Sequence, residues 1–427
     1  MPKDNGSIPS LPQLQDFYER ELKSLNQFLS KTVGIWRDEV LNFYPHTIEC
    51  YKDSWLSDLS GLSTEQEWKV DCGQDTENLP NGELREIFKE IQSLENIERW
   101  PTPPPKAYPS WALNKVGGKK HHEISRIIPL TNILGLAPSN QFVDIGGGKG
   151  HLSRLMCLYH GHNAISLDSN AYFQKLGKER LEKYPAPVGA GKLKFIHHVF
   201  GDQNQELKEK EIFETAEASI GLHTCGPLSL HHISKMELGK GLLNFPCCYQ
   251  LLTPDIETHL SSASKEHLLP IGKYALTLAT RGHTTISFKD YLLKKKVKLM
   301  RAALHFYLLE RHKHEEFTTV GPAHPRDYEK DFAHYAGIKL NFLGHQSNPV
   351  DLNAFYDSEE TQKKIYDVYK ANIIRWRWGR LIEKYLVYDR ALAQVEKGFP
   401  VEVYQFFDEK ISPRNLGLLL RKKKDPH

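Results

Sequence analysis

The residues best able to do chemistry lie in a glycine-rich bend, Asp144-Ile145-Gly146-Gly147-Gly148-Lys149-Gly150, and in two later stretches, Gly221-Leu222-His223-Thr224-Cys225-Gly226 and Pro246-Cys247-Cys248-Tyr249. An apolar run precedes the bend and a helical pattern follows it, the opening of a nucleotide-type fold. Gly146 and Gly148 allow a tight turn close to a ligand, and Gly150 allows close helix–strand approach. The spacing excludes a phosphate loop, because Lys149 is followed by Gly150 and His151 and not by Ser or Thr. Glycine spacing alone leaves a dinucleotide site open, but two acids favour S-adenosyl-L-methionine. Asp144, ahead of the bend, is placed to accept from the ammonium or ordered water of an amino-acid moiety, and it would repel a pyrophosphate. Asp168, 24 residues further on, closes the next apolar run and is placed to take both ribose hydroxyls. The plain alternative is that Asp144 caps a turn and touches no ligand.

His223 and Cys225 follow a fourth apolar run, and Cys247, Cys248 and Tyr249 follow a fifth. Both places are carboxyl ends of expected parallel strands, where open α/β sheets bind ligands. Three readings compete. In the first, His223 and Tyr249 line the gap beside a methyl donor and the cysteines are small buried fillers. In the second, Cys225 and Cys247 are the thiol pair of a pyrimidine carbon-5 RNA methyltransferase, although no acid precedes Cys225 as that chemistry's motif requires. The third is a metal site. Adjacent cysteines and the lack of paired C-x-x-C spacing argue against it, and no metal is expected.

These residues need a framework, and the apolar pattern supplies one. Phe142–Ile145, Ala164–Leu167, Leu193–Ile196, Ser219–Leu222 and Leu242–Phe245 read as strands, separated by helices over 149–160, 170–183, 204–216 and 227–239. That alternation predicts a parallel sheet with covering helices. Residues 12–47, 84–98, 290–311 and 357–398 read as helices, and 120–134 as a helix that Pro129 kinks or divides. The stretch 274–280 is ambiguous. Residues 401–407 and 416–422 read as an antiparallel pair. The expected organisation is a helical N-terminal region over 1–110, ending in the stiff connector PTPPPKAYPS, then a core over 111–285. A helical insertion over 286–398 and a strand pair over 399–427 that completes the sheet follow. The fold class is thus α/β, a Rossmann-like sheet of five parallel strands plus a C-terminal antiparallel pair.

The 427 residues carry a formal charge of +3, too mild to argue for nucleic acid unless local patches do. Six cysteines in a chain able to bury its own core suggest reduced thiols and an intracellular setting, cytoplasmic or nuclear. The start has no apolar signal region, and no run is long enough to span a membrane. Basic residues cluster at 294–301, at 421–424 and at 375–380, where Arg375, Arg377 and Arg380 interleave with Trp376 and Trp378. Such segments could hold RNA, or be solvated faces and core residues. An RNA or ribonucleoprotein acceptor is preferred, then protein, then a small molecule.

The chain resembles the methyltransferase-like protein 25 family, whose members are called probable methyltransferases and are sometimes named for a ribosomal RNA adenine dimethylase domain. The matching stretches are KKHHEIS (119–125), FVDIGGGKGHLSR (142–154), GLHTCGPLS (221–229), CCYQL (247–251), RAALH (301–305) and FDEKISPRNLGLLLRK (407–422). The resemblance implies a methyltransferase core with S-adenosylmethionine as cofactor, and a helix at 119–125 that brings His122 or Glu123 to the cofactor's amino-acid end. This sequence departs at Gly147-Gly148-Lys149, where Ser and Gln are common, and at Pro227, where Asp is common. The adenine-amine label fits poorly: such enzymes carry [N/D]-P-P-[Y/F] after the fourth strand, where His-Thr-Cys-Gly stands here, and Asn244-Phe245-Pro246-Cys247 follows the fifth. Transfer to oxygen or nitrogen of an unassigned acceptor, with His223 as candidate base, is the broader reading. A cofactor-binding scaffold without activity is the alternative.

Overall fold

The computed structural model describes residues 8–101, 106–183, 186–281, 286–314, 317–321 and 323–422. Part of the connector at 101–110 and the end of the 421–424 basic run lie outside them. The chain forms two compact units, each assembled from separated segments: Met1–Ser30, Glu95–Gly282 and Ile382–His427 in one, and Lys31–Leu94 and His283–Leu381 in the other. Segment 1–110 contributes to both, and so does 286–398.

The first unit is built on a seven-stranded sheet. β1 (Gln141–Ile145), β2 (Asn163–Asp168), β3 (Leu193–His197), β4 (Ala218–Cys225) and β5 (Gly241–Cys247) run parallel, and β6 (Glu402–Gln405) and β7 (Leu416–Leu420) close one side antiparallel. The order is β3-β2-β1-β4-β5-β7-β6. Helices at His151–His160, Ala171–Lys183, Glu206–Glu214 and Pro227–Ser234 link the parallel strands. This is the Rossmann-like sheet that the alternating pattern predicts. Its central strands are predominantly apolar, as strands covered on both faces are, and all seven residues of β5 are buried. Chain order reverses between β1 and β4, which opens a crevice at their carboxyl ends.

β4 runs three residues past the expected Ser219–Leu222, and β5 runs two past the expected Leu242–Phe245. Pairing resumes beyond a register shift between Leu222 and Thr224, with Cys225 opposite Cys247. His223, Cys225 and Cys247 therefore belong to the sheet itself. Ahead of β1, Pro129 divides the expected helix: the regular part is Gly118–Ile127, followed by a tighter turn at Ile128–Leu130, since proline has no N–H to continue the ladder. The ambiguous 274–280 stretch is helical, within Lys273–Arg281.

The second unit is helical, with Phe288–His312 packed on Glu359–Trp376. In it the residues of 375–380, which the sequence left open between an RNA-holding segment and core residues, lie on the core side. Arg375, Trp376, Arg377, Trp378 and Arg380 are all buried. Arg375 pairs with Glu39 at 2.8 Å, and Trp378 Nε1–H donates to Thr32 Oγ1 at 2.8 Å. The alternation of charge and aromatic ring here is a helix end turned inward, its guanidinium spent on the unit's own carboxylate. In 294–301, Lys294 and Lys295 pair with Asp71 and Glu67, and Lys296 donates to the carbonyls of Glu329 and Lys330. Lys298 and Arg301 are the exposed cations of that stretch. No described helix is long and apolar enough to cross a membrane.

β7 covers the hydrogen-bonding edge of β5, and the Phe245 ring stacks on Phe407 with centroids 4.7 Å apart. A chain cut after residue 400 exposes that edge and is expected to aggregate on expression, as read by sedimentation and size exclusion. A soluble, monomeric product with native near-UV circular dichroism would contradict the assignment of β6 and β7 to the core.

Candidate functional site

The bend after β1 is left-handed at Gly146, Gly148 and Gly150, with φ of 67°, 57° and 65°. Gly147 is the tightest point: an added Cβ would lie 2.3 Å from Ser166 Oγ and 2.8 Å from Asp144 Oδ2. The bend's amides are largely committed. Gly147 N–H donates to Leu167 O at 3.1 Å and Gly150 N–H to Gly147 O at 2.8 Å. Gly148 N–H donates to Asp168 Oδ2 at 2.8 Å, and Asn170 N–H to Asp168 Oδ1 at 2.7 Å. Gln174 locks the outside of the bend, its Nε2–H donating to Gly148 O at 2.9 Å. A pyrophosphate needs free, convergent N–H groups. Here Asp168 already takes the amide that would point at one.

Asp144 is 2% exposed and receives Ser153 Oγ–H. Ser153 backbone N–H also bonds its carboxyl, so Asp144 caps the His151–His160 helix from beneath the bend. The sequence reading set Asp144 against a ligand's ammonium or ordered water; the partners observed for its carboxyl are the Ser153 hydroxyl and amide. Burial pushes its carboxyl up to about 6, against the lowering effects of Ser153 and Lys120. Asp168 is partly exposed at the end of β2. Each of its oxygens accepts one amide and keeps a further lone pair for a ligand hydroxyl.

A second centre forms around Glu123, which is 0% exposed. His223 Nε2–H donates to Glu123 Oε1 at 2.8 Å, and Ser412 Oγ–H reaches the same oxygen at 2.8 Å. Lys120 Nζ lies 3.1 Å from Oε2 and Lys119 Nζ 3.7 Å from Oε1. Burial alone would raise this carboxyl, but the His223 hydrogen bond, the neighbouring cations and Ser412 hold it down at about 2. His223 is pushed the other way. Burial lowers it despite Glu123, so near neutral pH the ring is neutral, with Nε2 protonated and the lone pair on Nδ1. It stands at the β4 register shift with φ of 69°. A non-glycine residue in that conformation costs about 1 kcal/mol or more, and the shift re-aims its side chain out of strand alternation. His122 faces elsewhere: its Nε2 accepts Asp408 N–H at 3.1 Å, in the β6–β7 connection.

At the ends of β4 and β5, Cys225 Sγ lies 3.2 Å from Cys247 Sγ and 3.3 Å from Cys248 Sγ. All three cysteines are free. Hydrogen bonding from Cys247, reinforced by Cys248, lowers the Cys225 thiol to about 6, while Cys247 and Cys248 are raised. Tyr249 is 0% exposed. Its hydroxyl points to Glu383 at 3.4 Å, and Arg390 lies over its ring, so it packs inward and does not line an open gap. Asn244 is also interior. It accepts Ser229 Oγ–H at Oδ1 and uses Nδ2 on Thr224 Oγ1 and His232 Nδ1 at 2.8–3.0 Å, and it is 0% exposed, shut away from a base's amine.

The structure thus joins His223 to Glu123, Asp168 to Gly148, and Cys225 to Cys247 and Cys248, while turning His122 and Tyr249 to other partners. Sequence reasoning missed Ser153, Gln174 and Ser412. Ser153 carried a usable signal, a serine in the first turn of the helix after an acid and a bend. Ser412 carried none, since it lies 289 positions from the carboxylate it serves.

A parallel sheet with this strand order, a glycine bend after β1 and an acid closing β2 define a Rossmann-like, methyltransferase-type domain. Residues 119–255 match the family model described as a methyltransferase domain, which supports a methyltransferase activity in general. Among solved structures the chain is similar to YjhP from E. coli, at 12% identity over 73% of this chain and 98% of that one, with a TM-score of 0.24. That likeness is too distant to add to the fold described above.

Asp144 yields a pH-dependent stability. A carboxyl whose folded pKa stands above its unfolded value of about 4 stabilises the fold only while protonated, so its contribution is lost as pH climbs from about 4 to about 6. Asp144→Asn keeps an acceptor for Ser153 and removes the buried charge. At about pH 8 it is expected to raise unfolding stability by about 3 kcal/mol, the gain shrinking toward about pH 4.5. Denaturant titrations at both pH values check this. A variant destabilised at the higher pH would contradict it.

Proposed function

We propose that the chain is an S-adenosyl-L-methionine-dependent methyltransferase in which His223 takes a proton from an oxygen or nitrogen acceptor. The observation that supports this best is the committed state of the bend: the amides of Gly147, Gly148 and Gly150 serve Asp168 and the chain's own carbonyls. Such a bend offers no pyrophosphate cradle and presents a ligand with one accessible carboxylate, Asp168, which suits a nucleoside's hydroxyls. Asp168 would hold the ribose hydroxyls, and Gly146 and Gly148 would let the backbone approach the nucleoside. Lys120, partly exposed beside Glu123, offers a cation to the ligand's carboxylate. The resemblance to the methyltransferase-like protein 25 family points the same way.

When bound, the cofactor supplies an electrophilic methyl group on a sulfonium. The protein's part is alignment and proton handling. A neutral His223 has a lone pair at Nδ1 to accept a proton, and the ionised Glu123 at Nε2 both fixes the ring's tautomer and stabilises the imidazolium that forms. Among the described residues of the basic segments, Lys298 and Arg301 are the exposed cations that support an RNA acceptor, since 375–380 is interior. A protein acceptor fits the same base.

Calorimetry on the purified chain is expected to show binding of S-adenosylmethionine and none of NAD. Asp168→Ala should weaken binding about tenfold or more, with Asp168→Asn, which keeps an acceptor for Gly148, intermediate. His223→Ala should leave affinity within about threefold but lower labelled methyl transfer to fractionated cell RNA and protein by about a hundredfold. Uptake of NAD in place of S-adenosylmethionine would overturn the cofactor; undiminished transfer by His223→Ala would overturn the base.

A further inference from the structure

We propose that Cys225, Cys247 and Cys248 form a three-thiolate site for a thiophilic divalent cation of the zinc class at the carboxyl ends of β4 and β5. The spacing of the cysteines argued against such a site, because neighbouring residues of a strand point to opposite faces. The backbone removes that objection. Cys247 is the last residue of β5, and Cys248 is left-handed, with φ of 51° and ψ of 49°, which breaks the alternation and swings its side chain round to the side of Cys247. Cys225 arrives from β4 at the position paired with Cys247. The three sulfurs consequently lie within 4.8 Å of one another.

Zinc–sulfur bonds of about 2.3 Å at tetrahedral angles set sulfurs about 3.8 Å apart. The separations of 3.2 and 3.3 Å widen to that by side-chain rotation of a few tenths of an ångström. Three sulfur donors with no carboxylate among them select against magnesium and calcium and for a soft or borderline ion. Cys247 is buried while Cys225 and Cys248 are partly exposed, so three protein ligands sit on the inner side and the fourth position opens outward to water or another ligand. The Arg414 guanidinium, anchored on Arg281 O at 2.9 Å, acts on Cys248 and offsets the charge of three thiolates on a divalent ion. The three-thiolate site does not depend on a methyl donor being bound.

The test uses the full-length chain, reduced and stripped with a chelator. Cobalt titration should give sulfur-to-cobalt charge-transfer bands saturating at one ion per chain, and zinc should displace the cobalt. Cys225→Ser and Cys248→Ser should each weaken zinc binding more than about tenfold in competition with a chromophoric chelator, while Cys50→Ser should not. Bound zinc should also protect three cysteines of the wild-type chain from alkylation, counted by intact mass, a readout that does not depend on the variants folding. Absence of the cobalt–thiolate bands, no protection of the three thiols, or equal zinc affinity in the folded Cys225→Ser and Cys248→Ser chains would each overturn the site.

Discussion

A carboxylate shut away from water, Glu123, joins three stretches of chain that are remote in sequence. It stands on the helix ahead of β1, takes His223 from the end of β4, and takes Ser412 from the connection between β6 and β7. Lys119 and Lys120 neutralise it from its own helix. A buried charge of this kind is tolerable only with its partners in place, and removing one typically costs about 3–5 kcal/mol. The closing strands of the sheet and the candidate base are therefore held by the same group, so that folding of the C-terminal segment and orientation of His223 are linked.

The glycine bend works by a comparable economy. Its conformation leaves amide groups that a phosphate-binding loop would present to a ligand, but Asp168 and nearby carbonyls take them first. Asp144 spends its carboxylate on the first turn of the following helix. What remains outward-facing is the other side of Asp168, next to backbone that can be approached closely. The proposed recognition of hydroxyls and not phosphates rests on this arrangement.

The sheet was legible in the sequence because its signals are local: short apolar runs, a glycine bend, and helices of ordinary length between them. The ends of β4 and β5 were less so. A register shift at His223 and a left-handed Cys248 leave no mark on apolar periodicity, yet they decide where four candidate residues point. Asp144 and Asp168 look alike in sequence, and only their burial distinguishes them, Asp144 being closed in and Asp168 partly open. RWRWGR misled for a related reason. Alternating arginine and tryptophan suits a nucleic-acid surface and a buried helix end equally well, and partners remote in sequence, such as Glu39, 336 positions away, separate the two. Glu123 was a candidate on resemblance, but its link to Ser412 had no sequence signal.

The central claim is that the bend and Asp168 bind a nucleoside by its hydroxyls and not by phosphates. A crystal structure of the chain soaked with S-adenosylhomocysteine tests this directly. The account predicts ribose hydroxyls on the Asp168 carboxylate, with Gly148 N–H still bonded to it. A nucleoside bound elsewhere, or a bend that opens to release Gly147 and Gly148 N–H toward a phosphate when offered NAD, would contradict it.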